Sequence, residues 1–231
     1  MLGKVMTCAL VGLEGAIVEV EADIQPGLPL FAVVGLPDAA VQEARERARA
    51  AVRNSGFNFP YKRVVVSLVP ADLKKFGTAY DLSIAVGIIL ATEQLVADVT
   101  GTIFLGELSL DGTLRHTTGI LPMVALAHQS GYKKIVVPEA DAKEAVLIKG
   151  AGILPFASLA QLAAYLRGEI PAPPCPTADP AELIPPVVSG TDLSYVKGQE
   201  HAKRALEVAA AGGHNMVMMG KPLTLQRVRL L

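Results

Sequence analysis

The stretch KFGTAYDLSIAVGIILATE, residues 75–93, decides the fold. A glycine turn opens it, and from Asp81 to about Glu93 nearly every residue is apolar, which predicts a central helix buried on most of its faces. β-branched residues precede it at 64–69, and an apolar run follows it at 103–108. A strand is therefore expected on either side of the helix, and this order indicates a layered α/β or α+β domain.

The alternation of strands and helices extends outward from this stretch over residues 1–168. Strands are expected at 3–12, 15–24, 28–34, 64–69, 103–108, 134–137 and up to 155, and helices at 38–54, 81–93, 122–129, 141–146 and 159–167. Asp38 has the side chain of a helix N-cap, and Gly56 ends the same helix. The turn residues Asp111 and Gly112 predict a hairpin after the strand at 103–108.

Composition limits the classes of protein to consider. The 231 residues suit one or two domains, and an apolar content of 51% supports a substantial core. A net charge of −1 argues against a globally basic nucleic-acid binder, although a local basic patch stays open.

Cysteine and histidine usage predicts no metal site. Cys8 and Cys175 are isolated and lack C-x-x-C spacing, which fits a reducing compartment. The histidines are scattered and are interpreted as surface or capping residues: His116, His128, His201 and His214. No signal peptide and no run long enough to span a membrane is found, so a cytoplasmic location without membrane contact is expected.

Seven prolines without a periodic apolar pattern occupy residues 169–190. Such a composition predicts an extended, semi-rigid linker. The expected organisation is therefore a complete domain at 1–168, the linker, and a second segment at 191–231.

The second segment approaches a nucleotide-binding motif. A helix at 201–211, a glycine turn and a predicted strand at 216–219 lead to Gly220, as they would to a P-loop of pattern G-x-x-x-x-G-K-[ST]. Leu225, Gln226 and Arg227 stand where glycine, lysine and a hydroxyl residue are required. Without those groups to hold phosphate and Mg²⁺, no nucleotide or other cofactor is expected in this chain.

Residues 196–215 resemble the start of the ATPase module in the ComM/YifB family of magnesium-chelatase-like AAA+ proteins. The resemblance implies ATP and Mg²⁺ as cofactors of the intact family. It also implies a hexameric ring as homo-oligomer and DNA as partner, with ComM proteins acting in branch migration during natural transformation. A remnant of the cofactor site is expected at Val196, Gly198, Gln199 and Gly220.

The abrupt departure after Gly220 predicts a truncated ATPase module at 191–231, loosely packed compared with the first domain. A frameshift or a gene-prediction artefact would produce such a tail, and so would drift in a real short protein. The alternatives are a non-catalytic N-terminal region and an ATP-binding ATPase whose P-loop was lost from this sequence.

Residues 61–140 resemble the Lon-protease proteolytic domain, which implies the ribosomal-protein S5 domain 2-like fold. The resemblance rests on residues 75–81, which look like the segment bearing Lon's nucleophile, and on residues 119–138. It places the nucleophilic serine at Ala79 and the catalytic lysine at Leu121. Because neither side chain can perform a Ser-Lys reaction, no catalytic residue is expected and an active Lon-type peptidase is disfavoured.

Several polar residues remain as weaker candidates. Ser83 is expected to face the core. The pairs Lys74-Lys75 and Lys133-Lys134 are interpreted as solvated loops, with a basic edge as the alternative. Three arginines recur every four residues on one face of a predicted helix: Arg45, Arg49 and Arg53. Because like charges at this spacing repel one another, an acidic group is expected opposite them, either a carboxylate or a phosphate backbone. The alternative is an ordinary polar face.

Overall fold

The computed structural model of the chain describes residues 2–11, 14–178 and 192–219. The described residues form two compact units, one up to residue 178 and one from residue 192 onward. Residues 169–178, the described part of the expected linker, contain neither helix nor strand. The rest of the expected linker, Gly220 and positions 225–227 lie outside the described residues, so the domain bounds remain predictions.

A seven-stranded mixed sheet forms the frame of the first unit, in the order β3-β4-β2-β1-β5-β8-β9. Its strands are β1 Leu2–Val11, β2 Glu14–Gln25, β3 Leu30–Val34, β4 Arg63–Val69, β5 Thr102–Phe104, β8 Lys134–Pro138 and β9 Ile153–Phe156. Neighbours are parallel except for the β4-β2 and β2-β1 pairs. The predicted α/β fold class is confirmed.

Helices cover both faces of this sheet. They are α1 Ala39–Asn54, α2 Asp81–Ala91, α3 Ile120–Gln129, α4 Ala142–Ala145 and α5 Leu159–Leu166. α1, α2 and α5 enclose the larger core on one face, and α3 and α4 enclose a smaller core on the other. On this second face, no helix of the described residues covers the β3–β4 end, where Leu30, Val34 and Val69 are exposed. No helix within the described ranges is long and apolar enough to cross a membrane.

The central helix α2 packs unusually close to the sheet. Ten of its eleven residues are buried, as its apolar sequence predicts. A side chain at Gly3 of β1 would place its Cβ 2.3 Å from the Gly87 carbonyl oxygen and 3.0 Å from the Ala91 nitrogen. Glycine at position 3 therefore lets strand and helix backbones approach each other directly.

Local signals in the sequence are mostly confirmed. The Asp38 side chain accepts a hydrogen bond from the Val41 N–H at 2.8 Å and so caps α1. The hairpin is also present, but it is formed by β6 Glu107–Leu108 and β7 Leu114–Arg115. The expected continuous strand at 103–108 was wrong in its extent, because β5 pairs with β1 and β8 of the main sheet before the chain turns at Gly106.

The second unit contains a 3₁₀ turn at Leu193–Tyr195 and the helix α6, Glu200–Gly212. No residue of α6 is buried, which agrees with the loose packing expected for this segment. Residues 216–219 are not a strand, contrary to the sequence pattern. A strand requires a hydrogen-bonding neighbour, and no strand lies beside this run in the described part of the chain.

Candidate functional site

A cavity of about 170 Å³ opens at the ends of several elements of the first unit. Five segments contribute its walls: the end of β1, the loop before α2, β6, the loop after β7, and the first turn of α3. The lining residues are Cys8, Leu10, Phe76, Gly77, Thr78, Ala79, Tyr80, Glu107, His116, Thr117, Thr118 and Met123. Both segments that carry the Lon resemblance therefore contribute to one cavity.

The loop before α2 is held to the start of α1. The Lys75 N–H donates to the Leu36 carbonyl at 3.3 Å, and the Asp38 N–H donates to the Lys75 carbonyl at 3.1 Å. The second carboxylate oxygen of Asp38 accepts from the Gly77 N–H at 3.3 Å. These contacts place Ala79, which is 8% exposed, in the cavity wall. A methyl group thus stands at the position that the resemblance gives to the nucleophile.

The second protease position lies away from the cavity wall. Leu121 is half-buried in the first turn of α3, and its N–H donates to the Glu144 carboxylate at 3.3 Å. Among the described residues, Met123 lines the cavity from this helix and Leu121 does not. No amine is therefore positioned from this turn to accept a proton beside Ala79.

A chain of hydrogen bonds connects the polar side of the cavity. The Thr78 hydroxyl donates to the Glu107 carboxylate at 2.5 Å, and the Glu107 N–H donates to the Thr117 hydroxyl at 3.2 Å. The Thr117 N–H in turn donates to Asp141 at 2.9 Å. The two threonine hydroxyls are therefore committed to structural partners.

His116 forms an ion pair at the mouth of the cavity. Its Nδ1 contacts the carboxylate of Asp141, a residue that is 2% exposed. The hydrogen bond to Asp141, followed by the attraction of its charge, raises the pKa of His116. His116 is exposed, as its interpretation as a surface histidine predicts, but its pairing with a buried carboxylate was not indicated by the sequence.

Two further nucleophilic groups, Cys8 and Ser83, are poorly placed to react. Burial raises the pKa of the Cys8 thiol to about 12, and its sulfur lies 3.7 Å from the Met123 carbonyl oxygen. A neutral, buried thiol is a poor nucleophile. Ser83 faces the core as predicted, with its hydroxyl donating to the Tyr80 carbonyl at 2.8 Å.

A buried ion pair behind the cavity was missed by the sequence reasoning. The Arg47 Nε lies 2.6 Å from one oxygen of Asp81, and a terminal nitrogen of Arg47 lies 3.1 Å from the other. Asp81 also accepts from the Leu108 N–H at 3.2 Å. Burial raises the pKa of Asp81 to about 6, partly opposed by Arg47. Arg47 also lies 3.7 Å from Glu43, one helical turn before it, but its shorter contacts are those with Asp81.

The candidate basic residues have separate partners. Lys75 is fully buried and donates to the Pro70 carbonyl, so its interpretation as part of a solvated loop was wrong; the bend at 70–75 turns its side chain inward. Lys74, Lys133 and Lys134 are exposed, as a solvated loop predicts.

The arginines on α1 do not form one charged face. Arg45 donates to the Phe31 carbonyl at 3.4 Å. Arg49 lies 3.7 Å from Glu46, and its guanidinium covers the rings of Phe31 and Phe59. For Arg49, the expected acidic group is therefore the carboxylate of Glu46 on the same helix.

In the second unit, the described remnant residues precede α6. Val196 is half-buried, and Gly198 and Gln199 are exposed with φ of 72° and 60°. Gln199 occupies the N-cap position of α6 without a side-chain hydrogen bond. These three residues lie near one another only because they are neighbours in the chain. Gly220 lies outside the described residues.

Comparison with known proteins agrees with the two resemblances. The family model described as subunit ChlI of Mg-chelatase matches residues 20–141. YifB of Escherichia coli is 41% identical over 225 residues, and the competence protein ComM of Haemophilus influenzae is 36% identical over 225 residues. The chain belongs to the ComM/YifB magnesium-chelatase-like family. These alignments cover 96% of the chain but only 43% of YifB and 44% of ComM, so the chain spans less than half the length of these relatives.

Two further matches concern the separate parts of this ComM/YifB chain. A second family model, described as magnesium chelatase, subunit ChlI, matches residues 192–225. Lon protease 1 of Myxococcus xanthus is 27% identical over 152 residues, which is 62% of the chain and 18% of that protein. The Lon similarity is thus more distant than the similarity to YifB and ComM.

Proposed function

We propose that the first unit of this ComM/YifB chain is a non-catalytic, Lon-protease-like module. The observation that carries the proposal is Ala79 in the wall of the cavity, where the resemblance places the serine nucleophile. Leu121, at the lysine position, does not line the same cavity. A Ser-Lys mechanism needs both a hydroxyl and a nearby amine, and the side chains at positions 79 and 121 supply neither.

The remaining groups in the cavity support the same proposal. The Thr78 hydroxyl directly precedes Ala79 in sequence, but it is engaged by Glu107. Cys8 is held in its neutral form by burial. Pairing of its Nδ1 with Asp141 raises the pKa of His116 and orients its ring, but a base alone performs no Ser-Lys chemistry when Ala79 supplies no hydroxyl to deprotonate.

Peptidase assays test this proposal. The purified chain is expected not to cleave unfolded casein, and Ala79→Ser is expected not to gain activity because the base is still missing. Thr78→Val serves as the matched control for the neighbouring hydroxyl. Cleavage by the unchanged chain that disappears in Thr78→Val would contradict the proposal and would identify Thr78 as a nucleophile.

For the longer protein we propose an ATP-dependent motor that processes DNA, with the first unit contacting other subunits or DNA. The match of residues 192–225 to a magnesium-chelatase model and the competence protein among the relatives support this role. ATP and Mg²⁺ would be its cofactors. Because Leu225, Gln226 and Arg227 replace the phosphate-binding residues, calorimetry of this chain with Mg·ATP should show no saturable binding. A micromolar dissociation constant would contradict this part of the proposal.

A further inference from the structure

The edge strand β3 has no strand neighbour on its outer side among the described residues. β4 pairs with it in parallel, and the Leu30 N–H reaches the Lys62 carbonyl on that side. Because main-chain groups alternate in direction along a strand, those of Phe31 and Val33 point outward. The outer edge of the sheet thus presents two amide donors and two carbonyl acceptors, of which the Phe31 carbonyl also accepts from Arg45.

Natural edge strands usually carry features that prevent pairing with other chains. Charged side chains, prolines and bulges within the strand are the common ones. The sequence of β3, LFAVV, has none of them. Its open face is also apolar, since Leu30 is 47% exposed and Val34 is 45% exposed. No residue of the strand itself therefore blocks pairing at this edge, and among the described residues the one side-chain group that reaches it is the Arg45 guanidinium at the Phe31 carbonyl.

We propose that β3 is a self-association site, where it pairs antiparallel with β3 of a second copy of this chain around a two-fold axis at Ala32. In this register Phe31 lies opposite Val33 of the partner, so the outward groups of both residues exchange hydrogen bonds. Ala32 faces its own equivalent, and Leu30 faces Val34 of the partner. Every cross-strand pair is apolar and no like charges meet, which makes the strand self-complementary.

Two other observations concern the proposal that the strand pairing with β3 is β3 of a second copy. The opposite edge strand, β9, contains Pro155, which lacks an N–H, so a head-to-tail continuation of the sheet from β3 to β9 is less favourable. Arg45 donates to the outward Phe31 carbonyl at 3.4 Å. A carbonyl oxygen has a second lone pair, which remains for the partner strand.

Cysteine crosslinking of the full chain tests the register. Cys175 is exposed and is first replaced by serine, whereas Cys8 is buried and stays. Ala32→Cys is expected to form a disulfide dimer under mild oxidation, because the two Cα atoms would lie about 4.5 Å apart in a non-hydrogen-bonded pair. Leu30→Cys on the same face is the matched control, since the two Cα atoms would be separated by roughly 13 Å.

Analytical ultracentrifugation of charge variants tests the same contact in solution. Leu30→Lys and Val34→Glu are each expected to weaken dimerisation about ten-fold, because the symmetry disrupts two cross-strand pairs at once. The double variant brings lysine opposite glutamate twice and should restore the dimer. Circular dichroism melting verifies that each variant folds.

A monomeric unchanged chain at the highest attainable concentration would overturn the proposal. Equal crosslinking of Ala32→Cys and Leu30→Cys would also overturn it, because the register would then not be the one proposed. Failure of the double charge variant to recover association would have the same effect.

Discussion

Replacing Arg47 by methionine is expected to destabilise the first unit by about 3 kcal/mol at neutral pH, the lower end of the cost of breaking a buried ion pair. The structure explains the magnitude. Asp81 is fully buried, and without Arg47 its only remaining hydrogen-bond donor in the described structure is the Leu108 N–H at 3.2 Å. The side chain of Arg47 is itself 19% exposed, which places the loss at the low rather than the high end.

The stability lost in Arg47→Met should be larger at neutral pH than at acid pH. Burial holds the folded-state pKa of Asp81 at about 6, above the ordinary value of 3.8, so its ionisation works against folding as pH rises through this range. Removing Arg47 raises that pKa further, because the cation that favours the carboxylate is gone. The difference between variant and unchanged chain should therefore be large at about pH 7.5 and shrink toward about pH 5, where Asp81 is protonated in both folded states.

Urea unfolding followed by circular dichroism measures these differences. Arg47→Met is compared with the double variant Arg47→Met/Asp81→Leu, in which neither charge of this pair remains. The double variant should recover most of the lost stability at about pH 7.5, since apolar replacements of buried ion pairs are often neutral. A loss below about 1 kcal/mol, which is what an exposed pair contributes, or a loss that is the same at both pH values, would refute this account.

Other predictions test the close packing and the cavity. Gly3→Ala should lower stability by about 1–3 kcal/mol in thermal or urea unfolding, because its Cβ meets backbone atoms of α2 that cannot rotate away; an unchanged melting temperature would contradict this packing. The NMR titration of His116 should give a pKa above its usual 6.5, and Asp141→Asn should lower it. Since this pKa is raised, the pair stabilises the fold fully below the ordinary pKa, and that contribution is lost as pH rises through the raised value. An identical titration in Asp141→Asn would show that the pair has no effect on His116.

Local patterns in the sequence predicted most of the frame. The apolar run from Asp81 and the cap at Asp38 depend on residues close in the chain, and both are confirmed. The burial of Ser83 followed from its place on a wholly apolar helix. Such features require only helical periodicity and turn chemistry, which a single sequence contains.

The pairs that shape the candidate site could not be predicted in the same way. Arg47 and Asp81 are 34 residues apart, and His116 and Asp141 are 25 residues apart, so the sequence gives no indication that they meet. Lys75 follows another lysine in the sequence, as in a solvated loop, and its burial depends on the bend at 70–75. The resemblance to Lon placed Ala79 in the cavity wall, but it did not indicate that Leu121 lies outside it.

The order of the strands in the sheet has a consequence for synthesis on the ribosome. β1 to β4 make up one half of the sheet, and β5, β8 and β9 make up the other, with β1 paired to β5 at Met6 and Ile103. About 100 residues separate Met6 from Ile103 in the chain, so the ribosome synthesises β5 roughly 5–20 s after β1 at ordinary elongation rates. During that interval the inner edge of β1 has no partner, so the emerging chain must shield an apolar strand that will become the centre of the finished sheet. A pause in translation before residue 102 would lengthen this exposure, and we expect it to reduce the yield of folded protein.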